Sequence, residues 1–394
     1  MGISSNQSVY ARDRHAADRG DDQGKAQAQQ RLCRKAWLYA CLIAATLVSP
    51  VLADTYRIAT YNAELQRRGP GLLLRDIQSG KDKQVLAVAD VIRRVSPDVL
   101  LLNRFDYDAG GVALAAFADL LNDYPYRFAL RPNTGMQTGL DMDGDGRVGG
   151  PRDGQGYGRF AGQGGMAILS RYPLDAEHVQ DFSALKWAAF PDALLPMVDG
   201  KPFPSPQALA AQRLSSVGHW VVPVKLPDGV INLMAFHAGP PVFDGPEDRN
   251  GKRNHDEVRF WSVYLDGGLD TPPASGPFVI LGDANQDPLD GEGLKDAIRG
   301  LLAHPLVQDP LPQSEGAVVA AREQGGVNAS HQTDPTLDTV DWKDTPAPGN
   351  MRVDYVLPSK DLQVAGAGVY WPVGDADGSR HHLVWVDVEM VKKR

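Results

Sequence analysis

The sequence predicts an α/β sandwich built on mixed β-sheets, and three observations predict it. Short apolar strand-like runs recur along residues 54–394, segments of helical period lie between several of them, and the last strand patterns follow one another as hairpin-like neighbours. Residues 56–61 (YRIATY) read as a short strand. Between 84 and 95, Val85, Val88, Ala89, Ile92 and Val95 recur at helical spacing until Ser96-Pro97 stops the helix. Residues 98–102 (DVLLL) read as a strand buried on both faces. Further strands are expected over 165–169, 219–224, 230–236, 278–281, 352–357, 368–371 and 383–388, with helices over 112–121, 254–265 and 293–302. Three long irregular stretches, 131–164, 184–216 and 310–350, interrupt this pattern. Loops of that length inside a compact domain usually carry function or move.

The chain has 394 residues, 43% hydrophobic and 23% charged, with 40 Lys/Arg against 49 Asp/Glu and a formal charge of −9. That globular composition excludes collagen-like, coiled-coil and wholly disordered chains. Arg31, Arg34 and Lys35 precede an apolar run that ends in Val51-Leu52-Ala53, with small residues at −3 and −1, as in a secretory signal peptide. The run reaches the lower length limit for a membrane span, but Pro50 and its small-residue end favour cleavage after Ala53. Residues 1–53 are therefore expected to be an N-terminal extension and signal peptide. Residues 54–394 then form one exported domain, periplasmic or extracellular, with long inserted loops and no stable membrane span. This body carries 33 Lys/Arg against 45 Asp/Glu, a formal charge of −12, which speaks against wrapping DNA by general attraction. Both cysteines, Cys33 and Cys41, fall in the leader, so disulfides, thiolate metal sites and cysteine nucleophiles are excluded for the exported product.

Polar residues close the apolar strands in a consistent way. Asn62 follows RIATY, Asn103-Arg104 follow DVLLL, His237 follows INLMAF, Asp283 and Asn285 follow FVILG, Asp354 lies inside RVDYVL, and His381 precedes HLVWVDV. One such residue is a common turn signal, but six in this order mark strand ends where side chains converge on a ligand.

Over about 56–388 the chain resembles the endonuclease/exonuclease/phosphatase superfamily of metal-dependent phosphoesterases. Gly282-Asp283-Ala284-Asn285 matches its GDxN motif, Arg352-Val353-Asp354-Tyr355 looks like its R-[IL]-D-Y segment, and Ser379-Arg380-His381 stands at its S-D-H. The resemblance implies a DNase I-like four-layer α/β sandwich, two packed mixed β-sheets flanked by helices. It also implies roles. Asn62 holds a metal or a phosphate oxygen, and Asp283 with Asn285 orients the attacking water and the phosphate. His381 is the general base or transition-state stabiliser, His237 a phosphate contact or leaving-group acid, and Asp354 orients one of the two histidines. Hydrolysis of such an ester requires a positioned water, a base and positive charge for the developing oxyanions.

Two positions depart from the family pattern. Where a Q-E pair supplies a magnesium ligand, this chain has Asn103-Arg104, and Arg380 replaces the acidic residue beside His381. Exchanging two negative for two positive charges moves the local balance by about +4, against an unmodified Mg or Mn site. Two readings stay open. Glu64, two residues past Asn62, and Asp106, two past Arg104, rebuild a divalent site from displaced carboxylates; or Arg104 and Arg380 clamp the phosphate directly. The second reading covers an esterase that works without metal and a catalytically silent phosphate-binding protein. The acidic body favours a phosphate-ester small molecule or lipid headgroup over nucleic acid as partner.

Asp141, Asp143, Asp145 and Gly146 match the first half of a calcium loop, with Arg152 at the twelfth position and Asp153 one step further. Calcium bound there would stiffen the 131–164 loop. Arg249, Lys252, Arg253 and His255 form a basic cluster that is a candidate for recognising an anionic substrate.

Overall fold

The computed structural model of the chain describes residues 54–345, 348–373 and 378–391; the leader and the cleavage site after Ala53 lie outside them. Its strands are β1 (Thr55–Asn62), β2 (Val99–Phe105), β3 (Tyr126–Phe128), β4 (Gly165–Ser170), β5 (Gln180–Asp181), β6 (Met197–Val198), β7 (Lys201–Pro202), β8 (Gly218–Leu226), β9 (Gly229–His237), β10 (Phe278–Asp283), β11 (Asp354–Pro358), β12 (Leu362–Tyr370) and β13 (Leu383–Met390). The helices are α1 (Leu72–Ser79), α2 (Lys83–Val95), α3 (Val112–Leu121), α4 (Pro206–Ala211), α5 (Arg249–Leu265), α6 (Asp296–Leu302) and α7 (Glu315–Gln324). A six-stranded sheet runs β12-β13-β1-β2-β4-β3, and a five-stranded sheet runs β11-β10-β9-β8-β5. Both are mixed: β1 is parallel to β2 and antiparallel to β13, while β10 is parallel to β9 and antiparallel to β11.

Strand alternation divides the apolar residues between three layers of core. Ile58, Val99, Leu101 and Ile168 of the first sheet meet Trp220, Leu233, Val279 and Val356 of the second in a buried cluster between the sheets. The next residues along the same strands, Ala59, Leu100, Leu102 and Leu169, face outward onto Val88, Ile92 and Phe117 of α2 and α3. On the far side, Met234, Phe236, Ile280 and Leu357 pack against Phe260, Trp261 and Ile298 of α5 and α6. This is the expected four-layer sandwich. Among the described residues, no helix is long and apolar enough to cross a membrane.

The register prepares a site. Asn62 lies opposite Asn103 across β1 and β2, while His237, Asp283 and Asp354 lie side by side across β9, β10 and β11. Two of the three stretches read as irregular are partly ordered: α4 and the β6–β7 pair lie within 184–216, and α7 lies within 310–350. Helix α5 begins five residues before the expected start and α6 three residues after it.

Candidate active site

Asn62 closes β1 with its amide fully buried. Its Nδ2 donates to Asp283 Oδ2 at 2.8 Å and lies 3.3 Å from His381 Nε2. On its other side, the His381 ring meets Asp354 Oδ2 through Nδ1 at 2.8 Å. Donation from Nδ1–H to the carboxylate leaves Nε2 as the acceptor, the form a general base needs. Thr339 Oγ1 also donates to Asp354 Oδ2 at 3.0 Å and accepts the backbone N–H groups of Val353 and Asp354, both at 3.0 Å. Asp283 Oδ1 accepts the Asn285 N–H at 2.8 Å, and His237 Nε2 stands 3.5 Å from Asp283 Oδ2. The structure thus brings Asn62, His237, Asp283, Asn285, Asp354 and His381 together, and it is His381 that Asp354 orients. Arg352, two residues before Asp354, pairs with Asp309 instead.

The electrostatics separate the two histidines. Burial lowers the His381 pKa, but the adjoining Asp354 carboxylate, aided by Asp283 and Glu64, reverses this and raises it above the ordinary 6.5. His237, equally buried and facing the charges of Arg104 and His381, is pulled well below 6.5 and is neutral; its Nδ1 has no partner among the described residues. Burial and the neighbouring Asp354 push Asp283 up.

Arg104 sits in a β-bulge, where the β2–β4 register slips between Asn103 and Phe105, with φ 55°. Glu64 has φ 49° and Asn285 φ 50°, so three residues of the site occupy the left-handed region that L side chains rarely adopt, a strain typical of functional sites. Glu64 Oε1 receives Arg380 Nε at 3.1 Å, Arg104 Nη1 at 3.4 Å and Arg380 Nη2; its Oε2 accepts the Arg380 backbone N–H at 3.1 Å and Ser379 Oγ at 3.4 Å. Although burial pushes the Glu64 carboxyl up, Arg380 with help from His381 holds it down at about 2.

Several expected residues stand elsewhere. Asp106 does not join the site: its oxygens accept the Arg67 and Gly164 N–H groups, both at 2.8 Å. The bulge at Arg104 breaks the two-residue alternation that would have put both side chains on one face. Two members of the basic cluster are turned inward. Arg253 is buried and donates to the carbonyls of Leu214, Gln155, Arg213 and Ser215, and His255 lies between Asp256 and Asp296. In the 131–164 loop, Asp141, Asp143 and Asp145 bring one carboxylate oxygen each within 4.8 Å of one another. Asp153 is not in that trio, though its charge acts on Asp143; its oxygens accept the Met142 and Gly150 N–H groups. Thr339 is a support of the site that the sequence does not reveal, since it lies in a stretch without periodicity; Ser379 stands in the S-D-H-like segment, and its role as a support is visible only in three dimensions.

Asp283, Asp354 and His381 also place ligand atoms within 4.8 Å of one another, spaced to hold a cation. Their hydrogen bonds do not fit one. His381 Nδ1 and Asp354 Oδ2 face each other, Asn62 Nδ2 lies between Asp283 and His381 Nε2, and both Glu64 oxygens carry cationic or N–H donors. Asp354 Oδ1 is the only carboxylate oxygen of Glu64, Asp283 and Asp354 without a partner among the described residues. A hard divalent ion requires several open oxygens, and the one other carboxylate of the site, Glu64, already carries the guanidinium groups of Arg104 and Arg380.

A two-sheet sandwich with carboxylate, amide and imidazole groups at its strand ends has the architecture of the phosphoesterase fold. The chain belongs to the endonuclease/exonuclease/phosphatase family, whose sequence model matches residues 59–381, more than half of the chain. No curated protein matches it. Similar solved structures include an endonuclease/exonuclease/phosphatase from Beutenbergia cavernae DSM 12333, at 17% identity over 85% of this chain and 72% of that one, TM-score 0.49. A family protein from Leptotrichia buccalis C-1013-b shares 15% identity over 85% of this chain and 100% of its own, TM-score 0.48. Sphingomyelinase C from Streptomyces griseocarneus shares 14% identity over 85% and 99%, TM-score 0.44.

Proposed function

We propose that the protein is an exported hydrolase that cleaves a phosphate mono- or diester by direct attack of water. The observation that carries this reading is the buried hydrogen-bonded chain Asp354–His381–Asn62–Asp283. Asp354 fixes the His381 tautomer, and His381 Nε2 takes the proton of the attacking water. Asp283 orients that water, Asn62 links Asp283 to His381, Asn285 holds a phosphoryl oxygen, and neutral His237 donates a hydrogen bond to the phosphate. A depressed pKa makes His237 a contact and not the leaving-group acid, so the ester P–O bond breaks as the water oxygen adds and the leaving oxygen takes its proton from solvent.

The metal site is altered relative to the family, and positive charge comes from Arg104 and Arg380. Export rests on the leader pattern before Asp54. The acidic body favours a small phosphorylated molecule or lipid headgroup as substrate over nucleic acid. Calcium binds apart from the chemistry, at Asp141, Asp143 and Asp145, and stiffens the loop that carries them.

The test is hydrolysis of an aryl phosphomonoester and an aryl phosphodiester by the wild type, with magnesium, manganese, calcium or chelator, beside His381→Ala. Turnover lost in the variant is expected. Silence under every condition, with phosphate still bound, would instead make the chain a binding protein on this fold.

A further inference from the structure

The charges around Glu64 deepen the phosphate-ester reading and rest on it. Glu64, two residues past Asn62, is a candidate metal ligand by sequence, yet its two oxygens are filled by donors from Arg380, Arg104 and Ser379. The Glu64 side chain is 14% exposed, whereas Arg104 is 28% and Arg380 57% exposed, so the carboxylate lies inside and the guanidinium groups face outward. Among the described residues, Nε and Nη2 of Arg104 and Nη1 of Arg380 have no hydrogen-bond partner. The Arg104 charge also acts on His237, one of the residues grouped around Asp283.

We propose that Glu64, Arg104 and Arg380 form a metal-free anion site, in which Glu64 is the counter-ion that fixes two guanidinium forks and their remaining N–H groups bind the phosphoryl oxygens of the substrate. The triad carries a net charge of +1 and presents planar paired donors, which match the oxygens of a phosphate better than a point charge does. It inverts the electrostatics of a carboxylate metal site: the protein offers cations where such a site offers anions. The left-handed backbone at both Glu64 and Arg104 turns these side chains toward each other at the ends of β1 and β2. Arg104 and Arg380 are binding residues here, and Glu64 is a positioning residue.

Isothermal titration of inorganic phosphate into the full chain tests this. In chelator the wild type is expected to bind phosphate, with affinity unchanged by added magnesium and no heat from magnesium alone. Arg104→Gln should weaken phosphate binding by about tenfold or more. Arg104→Lys, which keeps the charge and loses the fork, should restore part of it. The pair Arg104→Glu with Arg380→Asp should lose phosphate and gain a magnesium heat. The wild-type titration needs no variant to fold. Phosphate binding that requires magnesium, or no phosphate binding in chelator, overturns the anion site. Ester hydrolysis that persists in magnesium after such a result would leave the hydrolase reading standing. Phosphate bound in chelator without turnover of any ester would overturn the hydrolase reading and leave the anion site.

Discussion

His381 is held from both sides of its ring, by Asp354 at Nδ1 and by Asn62 at Nε2, and its chemistry follows from those two contacts. As a general base it works in the neutral form. Its pKa is raised above 6.5, so the rate should fall as pH drops through that raised value and level off above it. Replacing it, as His381→Ala, should lower kcat by about 10²–10⁴-fold. In Asp354→Asn the carboxylate that raises the pKa is gone while the burial that lowers it remains. The acid limb of the pH–rate profile should therefore move to lower pH as kcat drops; an unmoved limb would assign the titration to another group. At this scale much of the site is legible in sequence, because Asn62, His237, Asp283 and His381 each close or precede an apolar run. Asp106 was not, since a bulge at Arg104 resets the face on which the following residues lie, and Thr339 has no local pattern to mark it.

Between elements, the register of β9, β10 and β11 sets His237, Asp283 and Asp354 in one row. Gly282 makes that row possible: a Cβ there would lie 1.9 Å from the Phe236 carbonyl oxygen on β9. Gly282→Ala should cost about 3 kcal/mol or more, read as a lowered denaturant midpoint, because backbone and not a flexible side chain would have to yield. The 131–164 loop gives a second test at this scale. Calcium against chelator should raise the melting midpoint, with the gain lost in Asp141→Asn; identical midpoints would remove the calcium site. Strands are the legible elements, since their apolar runs are buried on both faces. The start of α5 is not, because Arg249, Asn250, Gly251, Lys252 and Arg253 hold no apolar residue, and Arg253 is buried through hydrogen bonds to carbonyls. Helix α7 lies in a stretch rich in Pro and Gly, with only Gly316 and Ala317 buried.

Across the whole molecule, the sandwich closes through β1 and β13, more than 300 residues apart in sequence, a pairing with no local signature. Local patterns indicate only mixed α/β; the four layers and sheet order came from resemblance to a family and are now visible in the three clusters of core. Burial at this scale also leaves a pH signature. Asp338 is pushed up to about 8 by burial and by Asp287, Asp290 and Asp334. The folded state therefore holds this proton between 3.8 and about 8 while the unfolded chain releases it, so stability falls as pH rises through that window. Asp338→Asn should raise the melting midpoint above pH 8, by about 2–4 °C per kcal/mol gained, and leave it unchanged near pH 4. On the proposed function, this fold hydrolyses a phosphate ester with arginine charge in place of a metal. The most direct measurement is the wild-type rate of aryl phosphate hydrolysis followed from chelator into increasing magnesium. A rate already present in chelator, and flat as magnesium rises, is the predicted result; a rate that is absent in chelator and climbs with magnesium would contradict it.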